Sequence, residues 1–188
     1  MNDRQWTGVV LAGGQSSRMG RDKALIELDG ITLLDRAVDL LRPHAREVLV
    51  IGDPDKYRPE RATVIPDDRL GKGPLGGLVT ALKHARYVRL IVLACDLPNI
   101  SDRLLIHLKN ELIGDYDAVV PRHEGFIEPL AAAYHRHAIE LFERNISADR
   151  LKMSDALGRV NTRWFDIVPG EAGWPKDLFK NMNAPADL

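Results

Sequence analysis

Two glycines and two cations follow an apolar run near the start of the chain. The run from Val9 to Ala12 is typical of a buried strand and leads into Gly13-Gly14. Adjacent glycines allow a sharp turn and let a ligand approach main-chain N–H groups. Arg18 and Lys23 add positive charge. The guanidinium of Arg18 is planar and can bind two phosphate oxygens at once, and the ammonium of Lys23 sits on a flexible side chain. These residue types at this spacing predict a loop that binds the phosphates of a nucleotide.

The loop matches neither of two common phosphate-binding patterns. In the P-loop pattern a lysine and a Ser or Thr follow the second glycine, whereas Arg21-Asp22 follows Gly20 here. The dinucleotide pattern needs Gly-x-Gly-x-x-Gly, which Gly13, Gly14 and Gly20 do not form. An ordinary strand-to-helix connection with incidental charge therefore remains the alternative on these residues alone.

Carboxylates follow three further apolar runs, at Asp53, Asp67 and Asp96. Ligands in open α/β sheets bind beyond the carboxyl ends of the strands. Asp96 is the strongest candidate because it follows Arg89 to Cys95, whose continuous apolarity predicts a central parallel strand. A lone buried charge is costly, and Mg²⁺ shared with substrate phosphates would compensate it. The alternative is an acid that merely caps the following turn or helix.

Strand and helix patterns alternate along the chain and must position these residues. Thr32 predicts a helix N-cap, Pro74 a helix start, and Ser101 a further N-cap. The segment 24–28 is predicted to be extended, and 55–61 to be a polar loop or short helix. The alternation predicts an α/β fold: one domain over 1–188, a Rossmann-like three-layer α/β/α sandwich with a mostly parallel sheet.

Charge and composition exclude several classes of partner. The 188 residues carry a formal net charge of -1, so we expect no nucleic-acid partner. We expect no membrane partner either, because no apolar run approaches the length of a membrane span. No secretory signal is recognised, and the one cysteine, Cys95, cannot form an internal disulfide, so we expect a cytoplasmic protein.

From Leu11 to Lys23 the chain reads Leu-Ala-Gly-Gly-x-Ser-x-Arg-Met-Gly-x-Asp-Lys. This stretch resembles the signature of the molybdenum cofactor guanylyltransferases. Shorter forms occur in the wider nucleotidyltransferases, which include sugar-phosphate uridylyl- and guanylyltransferases and the cytidylyltransferase that acts on molybdopterin. Other segments that resemble the family are Val64-Ile-Pro-Asp67, Gly73-Pro-Leu-Gly-Gly77, Cys95-Asp-Leu-Pro98, Glu128-Pro-Leu130 with Tyr134, and Asn181-Met-Asn183.

The resemblance implies a fold of the nucleotide-diphospho-sugar transferase type, with a nucleotide-binding N-terminal half and an acceptor-binding C-terminal half. It implies transfer of GMP from GTP to molybdopterin with release of pyrophosphate, and molybdoenzymes or their chaperones as further partners. The implied catalytic residues are Arg18, Lys23 and Asp96. The implied nucleotide-binding residues are Leu11, Ala12, Gly13, Gly14, Lys23, Asp67 and Asp96. Mg²⁺ is the implied cofactor, held by Asp96 and by Asn183.

The chain departs from the family pattern at Ala184, which replaces a tail threonine, and at Asp53, where some relatives have asparagine. Gly13-Gly14 favours GTP over CTP within the resemblance. A sugar-phosphate or cytidylyl nucleotidyltransferase and a non-catalytic nucleotide-binding module remain the alternatives.

Three further sets of polar residues have structural interpretations that need no functional role. Cys95 lies within a core-like run, so we interpret it as a small buried residue. His135 and His137 lack a third zinc ligand and are better interpreted as surface histidines. Arg122 and His123 follow a strand end and fit either an acceptor phosphate or solvated loop charge equally well.

Overall fold

One sheet with helices on both faces organises the chain. The computed structural model describes residues 5–12 and 22–182. The strands of this part are β1 (Trp6–Leu11), β2 (Glu27–Leu28), β3 (Ile31–Thr32), β4 (Glu47–Ile51), β5 (Thr63–Ile65), β6 (Arg89–Ala94), β7 (Ala118–His123), β8 (Phe126–Ile127), β9 (Ala131–His135) and β10 (Thr162–Asp166). The α-helices are α1 (Leu33–Leu41), α2 (Gly73–His84), α3 (Asp102–Glu111), α4 (Ile139–Ser147) and α5 (Met153–Leu157).

The main sheet has eight strands in the order β10-β7-β9-β6-β1-β4-β5, with β8 paired to β7. The strands β5, β4, β1 and β6 form a run of parallel pairs. β9 is antiparallel to both of its neighbours, β6 and β7, while β10 is parallel to β7. β2 and β3 form a separate small hairpin. This confirms the predicted mostly parallel sheet.

Both faces of the sheet are buried, which gives three layers. Val10 of β1 lies in one apolar core, together with residues of α1 and α3. Val9 and Leu11 lie in the other, together with residues of α2, α4 and α5. Successive strand side chains point to opposite faces, so an unbroken apolar run is what a strand covered on both sides requires. None of the helices within the described residues has the length and apolarity needed to cross a membrane.

Local chemistry sets the helix ends. The hydroxyl oxygen of Thr32 accepts a hydrogen bond from Asp35 N at 3.0 Å, which caps α1 as predicted. Ser101 is the N-cap residue of α3 but makes no side-chain cap bond. The predicted extended segment at 24–28 is a 3-10 turn, Lys23–Leu25, followed by the two-residue β2. A local side-chain bond from Asp22 holds that turn, and it outweighs the apolar pattern.

Candidate active site

The parallel strands of the first half bring polar residues to one edge of the sheet. Because β1, β4, β5 and β6 run in the same direction, their carboxyl ends lie together. Ala12, Asp53, Asp67 and Asp96 follow those ends. β9 begins at the same edge, where Ala94 N donates to the carbonyl oxygen of Leu130 at 2.7 Å. The topology therefore collects residues from the whole chain into one place.

Lys23 and Asp96 meet at this edge. The Nζ atom of Lys23 lies 3.5 Å from Asp96 Oδ2, although the two residues are 73 positions apart. Both side chains are 27% exposed, so each is partly shielded yet open to a ligand. Lys23 begins the 3-10 turn after the glycine-rich segment, and Asp96 leaves the central strand β6. Two of the predicted catalytic residues are thus neighbours.

The last described residues pack against Asp96. Met182 N donates a hydrogen bond to the main-chain oxygen of Asp96 at 2.8 Å. The predicted second metal ligand, Asn183, follows Met182 directly in sequence but lies outside the described residues. Arg18, Gly13 and Gly14 also lie outside them. Their predicted roles stay predictions.

The chemistry of the Asp96 site fits a metal ion that a substrate would share. Within residues 5–12 and 22–182, no group of three or more His, Cys, Asp or Glu side chains could hold an ion by itself. Mg²⁺ commonly binds one or two carboxylates and takes its remaining ligands from water and substrate phosphates. A single, partly exposed carboxylate beside a lysine suits that mode and does not suit a closed protein cage.

Asp67 is held rigidly at the end of β5. Its Oδ1 accepts hydrogen bonds from Arg69 N and from the hydroxyl of Thr80, both at 2.8 Å. Thr80 lies fully buried on α2, and its oxygen accepts from Asp68 N at 3.1 Å. Both of these bonds to the carboxylate use Oδ1. Asp53 instead folds back on its own loop, accepting from Asp55 N at 2.9 Å.

The glycines of α2 let that helix approach the end of β1. A Cβ added at Gly77 would lie 3.3 Å from the Leu11 side chain, and one at Gly76 would lie 2.8 Å from the main-chain oxygen of Arg69. A larger residue at Gly76 would force the main chain at Arg69 away from α2. These glycines therefore serve close packing beneath the site.

Tyr57 is a site residue that the sequence analysis missed. Its hydroxyl donates to Asp22 Oδ2 at 2.7 Å and also lies 2.9 Å from the carbonyl oxygen of Ala12. Burial, followed by the hydrogen bond with Asp22, raises the pKa of Tyr57, so the hydroxyl keeps its proton as a donor. The signal in the sequence was one large aromatic residue within the polar segment 53–62.

Cys95 has no nucleophilic character. The side chain is buried as predicted, and burial, followed by the nearby Asp96, raises the pKa of its thiol to about 12. A neutral thiol in this position acts as a small apolar residue.

A second polar cluster lies at the carboxyl end of β7, on the same edge of the sheet as Asp96. His123 Nε2 and Glu128 Oε1 are 2.6 Å apart, and their side chains are only 15% and 19% exposed. The ring of Phe179 stacks on His123 at a centroid distance of 4.5 Å and an interplanar angle of 18°. Arg122 is paired with Asp166 through two hydrogen bonds of 2.9 and 3.0 Å, which tie β7 to β10. Of the two residues considered for an acceptor phosphate, only His123 lies in this shielded cluster.

His135 and His137 lie at the opposite end of β9, with ring centroids 4.0 Å apart. Burial, followed by the charges of His137 and Arg89, lowers the pKa of His135. These two histidines therefore lie away from the edge of the sheet where the parallel strands end.

The chain is similar to known proteins over nearly its whole length. Residues 8–160 match the model of a family described as the MobA-like NTP transferase domain. A protein of Pelotomaculum thermopropionicum named as a probable molybdenum cofactor guanylyltransferase is 35% identical over 187 residues, covering 98% of this chain and 90% of its own. A protein of the same name from Carboxydothermus hydrogenoformans is 34% identical over 183 residues, covering 96% and 92%.

A solved structure has the same fold over nearly the whole chain. Molybdopterin-guanine dinucleotide biosynthesis protein A from Archaeoglobus fulgidus superposes with a TM-score of 0.75 at 27% identity. The match covers 96% of this chain and 94% of the other.

Proposed function

The chain belongs to the MobA-like NTP transferase domain family, and from this premise we propose that it transfers GMP from GTP to molybdopterin and releases pyrophosphate. The proposal follows the names of relatives that match it over almost their full length. The observation that carries it is the pairing of Lys23 with Asp96, 3.5 Å apart, where the central parallel strands end.

The reaction is a displacement at phosphorus. An oxygen of the acceptor's terminal phosphate forms a bond to the α-phosphorus of GTP, and the bond to the bridging oxygen of pyrophosphate breaks. A phosphate nucleophile is already anionic near neutral pH, so the protein need not supply a base. Its tasks are positioning the two phosphates and stabilising the charge that moves to the leaving group.

Lys23 and Asp96 divide these tasks. Lys23 binds the oxygens of the triphosphate and stabilises the departing pyrophosphate. Asp96, with Asn183 as the proposed second ligand, holds Mg²⁺. When bound, Mg²⁺ supplies a Lewis acid that draws charge from the phosphate oxygens. Lys23 Nζ lies 3.5 Å from Asp96 Oδ2, so the proposed phosphate-binding cation and the proposed metal-binding carboxylate are adjacent.

Nucleotide selection is assigned to the other residues of the first half. We assign Leu11, Ala12, Gly13 and Gly14 to nucleotide binding, and Arg18 adds charge for the phosphates. Asp67 presents Oδ2 to the nucleotide, because its other oxygen is occupied by Thr80 and Arg69.

The acceptor is assigned to the second half, within one domain spanning 1–188. The His123–Glu128 pair supports this assignment because it is polar, shielded and at the same edge of the sheet, with Phe179 stacked on His123. Glu128→Gln should raise the KM for molybdopterin about tenfold and leave the KM for GTP unchanged. Glu140→Gln, at an exposed helix pair, is the matched control. Equal KM values for molybdopterin in the two variants would remove the pair from the acceptor site.

A pyrophosphate-release assay tests the proposed function. The protein would be incubated with Mg²⁺, molybdenum-loaded molybdopterin and GTP, CTP or UTP in turn, with omission of the acceptor as the control. We expect release with GTP that depends on the acceptor. Release with CTP in preference to GTP would make the chain a cytidylyltransferase. In a parallel set of incubations a sugar phosphate replaces molybdopterin, and release there would make the chain a sugar-phosphate nucleotidyltransferase. GTP binding without release would indicate a non-catalytic module.

Two further features complete the proposal. The single cysteine supports a reducing compartment, the cytoplasm. The dinucleotide product would then pass to molybdoenzymes or to their chaperones.

A further inference from the structure

The hydroxyl of Tyr57 joins two parts of the chain that flank the glycine-rich segment. Ala12 is the last described residue before that segment, and Asp22 is the first after it. The Tyr57 oxygen lies 2.9 Å from the carbonyl oxygen of Ala12 and 2.7 Å from Asp22 Oδ2. One side chain from a different loop thus contacts both ends.

The contact with Asp22 reaches Lys23 through one carboxylate. Asp22 Oδ2 accepts from Tyr57, while Asp22 Oδ1 accepts from Ala24 N at 3.1 Å and caps the 3-10 turn Lys23–Leu25. A carboxylate held at both oxygens cannot rotate freely. The orientation of the turn, and so the direction in which Lys23 leaves it, depends on where Tyr57 holds Asp22.

Burial, a main-chain hydrogen bond and close packing fix the position of the Tyr57 ring. The residue is 4% exposed, and its N–H donates to the carbonyl oxygen of Asp53 at 3.0 Å. A Cβ added at Gly52 would lie 2.6 and 2.8 Å from two ring carbons of Tyr57. Real side chains do not approach so closely, so glycine at position 52 leaves the space through which the ring reaches Ala12.

We propose that Tyr57 is a positioning residue that sets the distance between the end of β1 and the turn carrying Lys23. Lys23 and Asp96 then meet the triphosphate in a fixed arrangement. The role in nucleotide binding rests on the proposed function. The role in holding the turn rests on the contacts alone.

Tyr57→Phe keeps the ring and removes the hydroxyl. A hydrogen bond to a charged group is commonly strong enough to change an equilibrium roughly tenfold or more. We therefore expect the KM for GTP to rise about tenfold and the KM for molybdopterin to stay within about twofold of the wild type. A merely structural role would lower the fraction of active protein, and hence kcat, without changing the KM for GTP.

Two further variants isolate the contact. Tyr87→Phe, at the opposite end of the sheet before β6, is the control for loss of a tyrosine hydroxyl and should behave as wild type. In an Asp22→Ala background, Tyr57→Phe should add less than about twofold to the KM for GTP, because the intermediary carboxylate is already gone. Full additivity would show that Tyr57 does not act through Asp22.

Hydrogen exchange tests the positioning role without any nucleotide. Ala24 N is protected by Asp22, so peptides covering 22–28 should exchange about tenfold faster in Tyr57→Phe than in wild type or in Tyr87→Phe. Unchanged exchange would overturn the proposal, whatever the enzyme assay gives. If exchange is faster in Tyr57→Phe but the wild-type protein releases no pyrophosphate, the positioning role is retained and the proposed function is rejected. An unchanged KM for GTP in an active enzyme would overturn the link to nucleotide binding.

Discussion

Asp96→Asn should separate catalysis from stability. Asparagine keeps the shape of the side chain and removes its charge, so the variant loses the negative charge of the proposed metal ligand and the ion pair with Lys23 together. Removal of one preorganised electrostatic group costs about 10²–10³ in kcat. We expect a loss of that size at saturating GTP and Mg²⁺.

The cost to folding should be far smaller. At 3.5 Å the Lys23–Asp96 attraction is about 1 kcal/mol at the dielectric constant of water and about 5 kcal/mol at an effective value of about 20. Both side chains are 27% exposed, and screening and side-chain entropy reduce the net contribution of such a pair to about 1 kcal/mol. For a domain of this size that lowers Tm by about 2–4 °C.

Pyrophosphate release and thermal unfolding would be measured on the same preparation. Glu111→Gln is the matched control, because it removes a pair of 3.3 Å with Arg163, between the last residue of α3 and the amino-terminal part of β10. We expect this control to keep wild-type kcat. If Asp96→Asn kept more than about a third of wild-type kcat, the role of Asp96 in the reaction would be rejected. A fall in Tm above about 10 °C would instead make Asp96 a structural residue.

Three other outcomes follow from the site and its surroundings. Lys23→Ala should raise the Kd for GTP, measured by calorimetry, roughly 10- to 100-fold. Lys83→Ala, on α2, is the control and should leave this Kd unchanged. Equal Kd values for GTP in the two variants would remove Lys23 from the site. Thr80→Val removes the hydroxyl that holds Asp67 and should raise the same Kd about three- to tenfold, so an unchanged Kd would contradict that orienting role. The pKa of His135 is lowered on folding, so the unfolded chain binds more protons as pH falls below about 6.5 and His135 then destabilises the fold. His135→Asn should therefore show a smaller fall in Tm than wild type between about pH 7 and pH 5; parallel curves would contradict this.

Much of the fold could be predicted because its signals are local. The continuous apolar run of β6 predicts burial on both faces, and the two cores on either side of the sheet confirm it. Thr32 and Pro74 mark helix starts through hydrogen bonds and backbone angles that depend on a few neighbouring residues. Of the segment 24–28 predicted to be extended, 27–28 form β2, whereas 24 and 25 belong to a 3-10 turn that the Asp22 side chain caps.

The sequence also determined which residues end the parallel strands. A parallel sheet brings such ends to one edge, and at that edge the structure places Lys23 3.5 Å from Asp96. Only the tertiary structure decided which oxygen of Asp67 is occupied, that Tyr57 joins Ala12 to Asp22, and that Phe179 stacks on His123. These contacts join residues far apart in the chain. They depend on side-chain directions and loop paths that no local periodicity encodes.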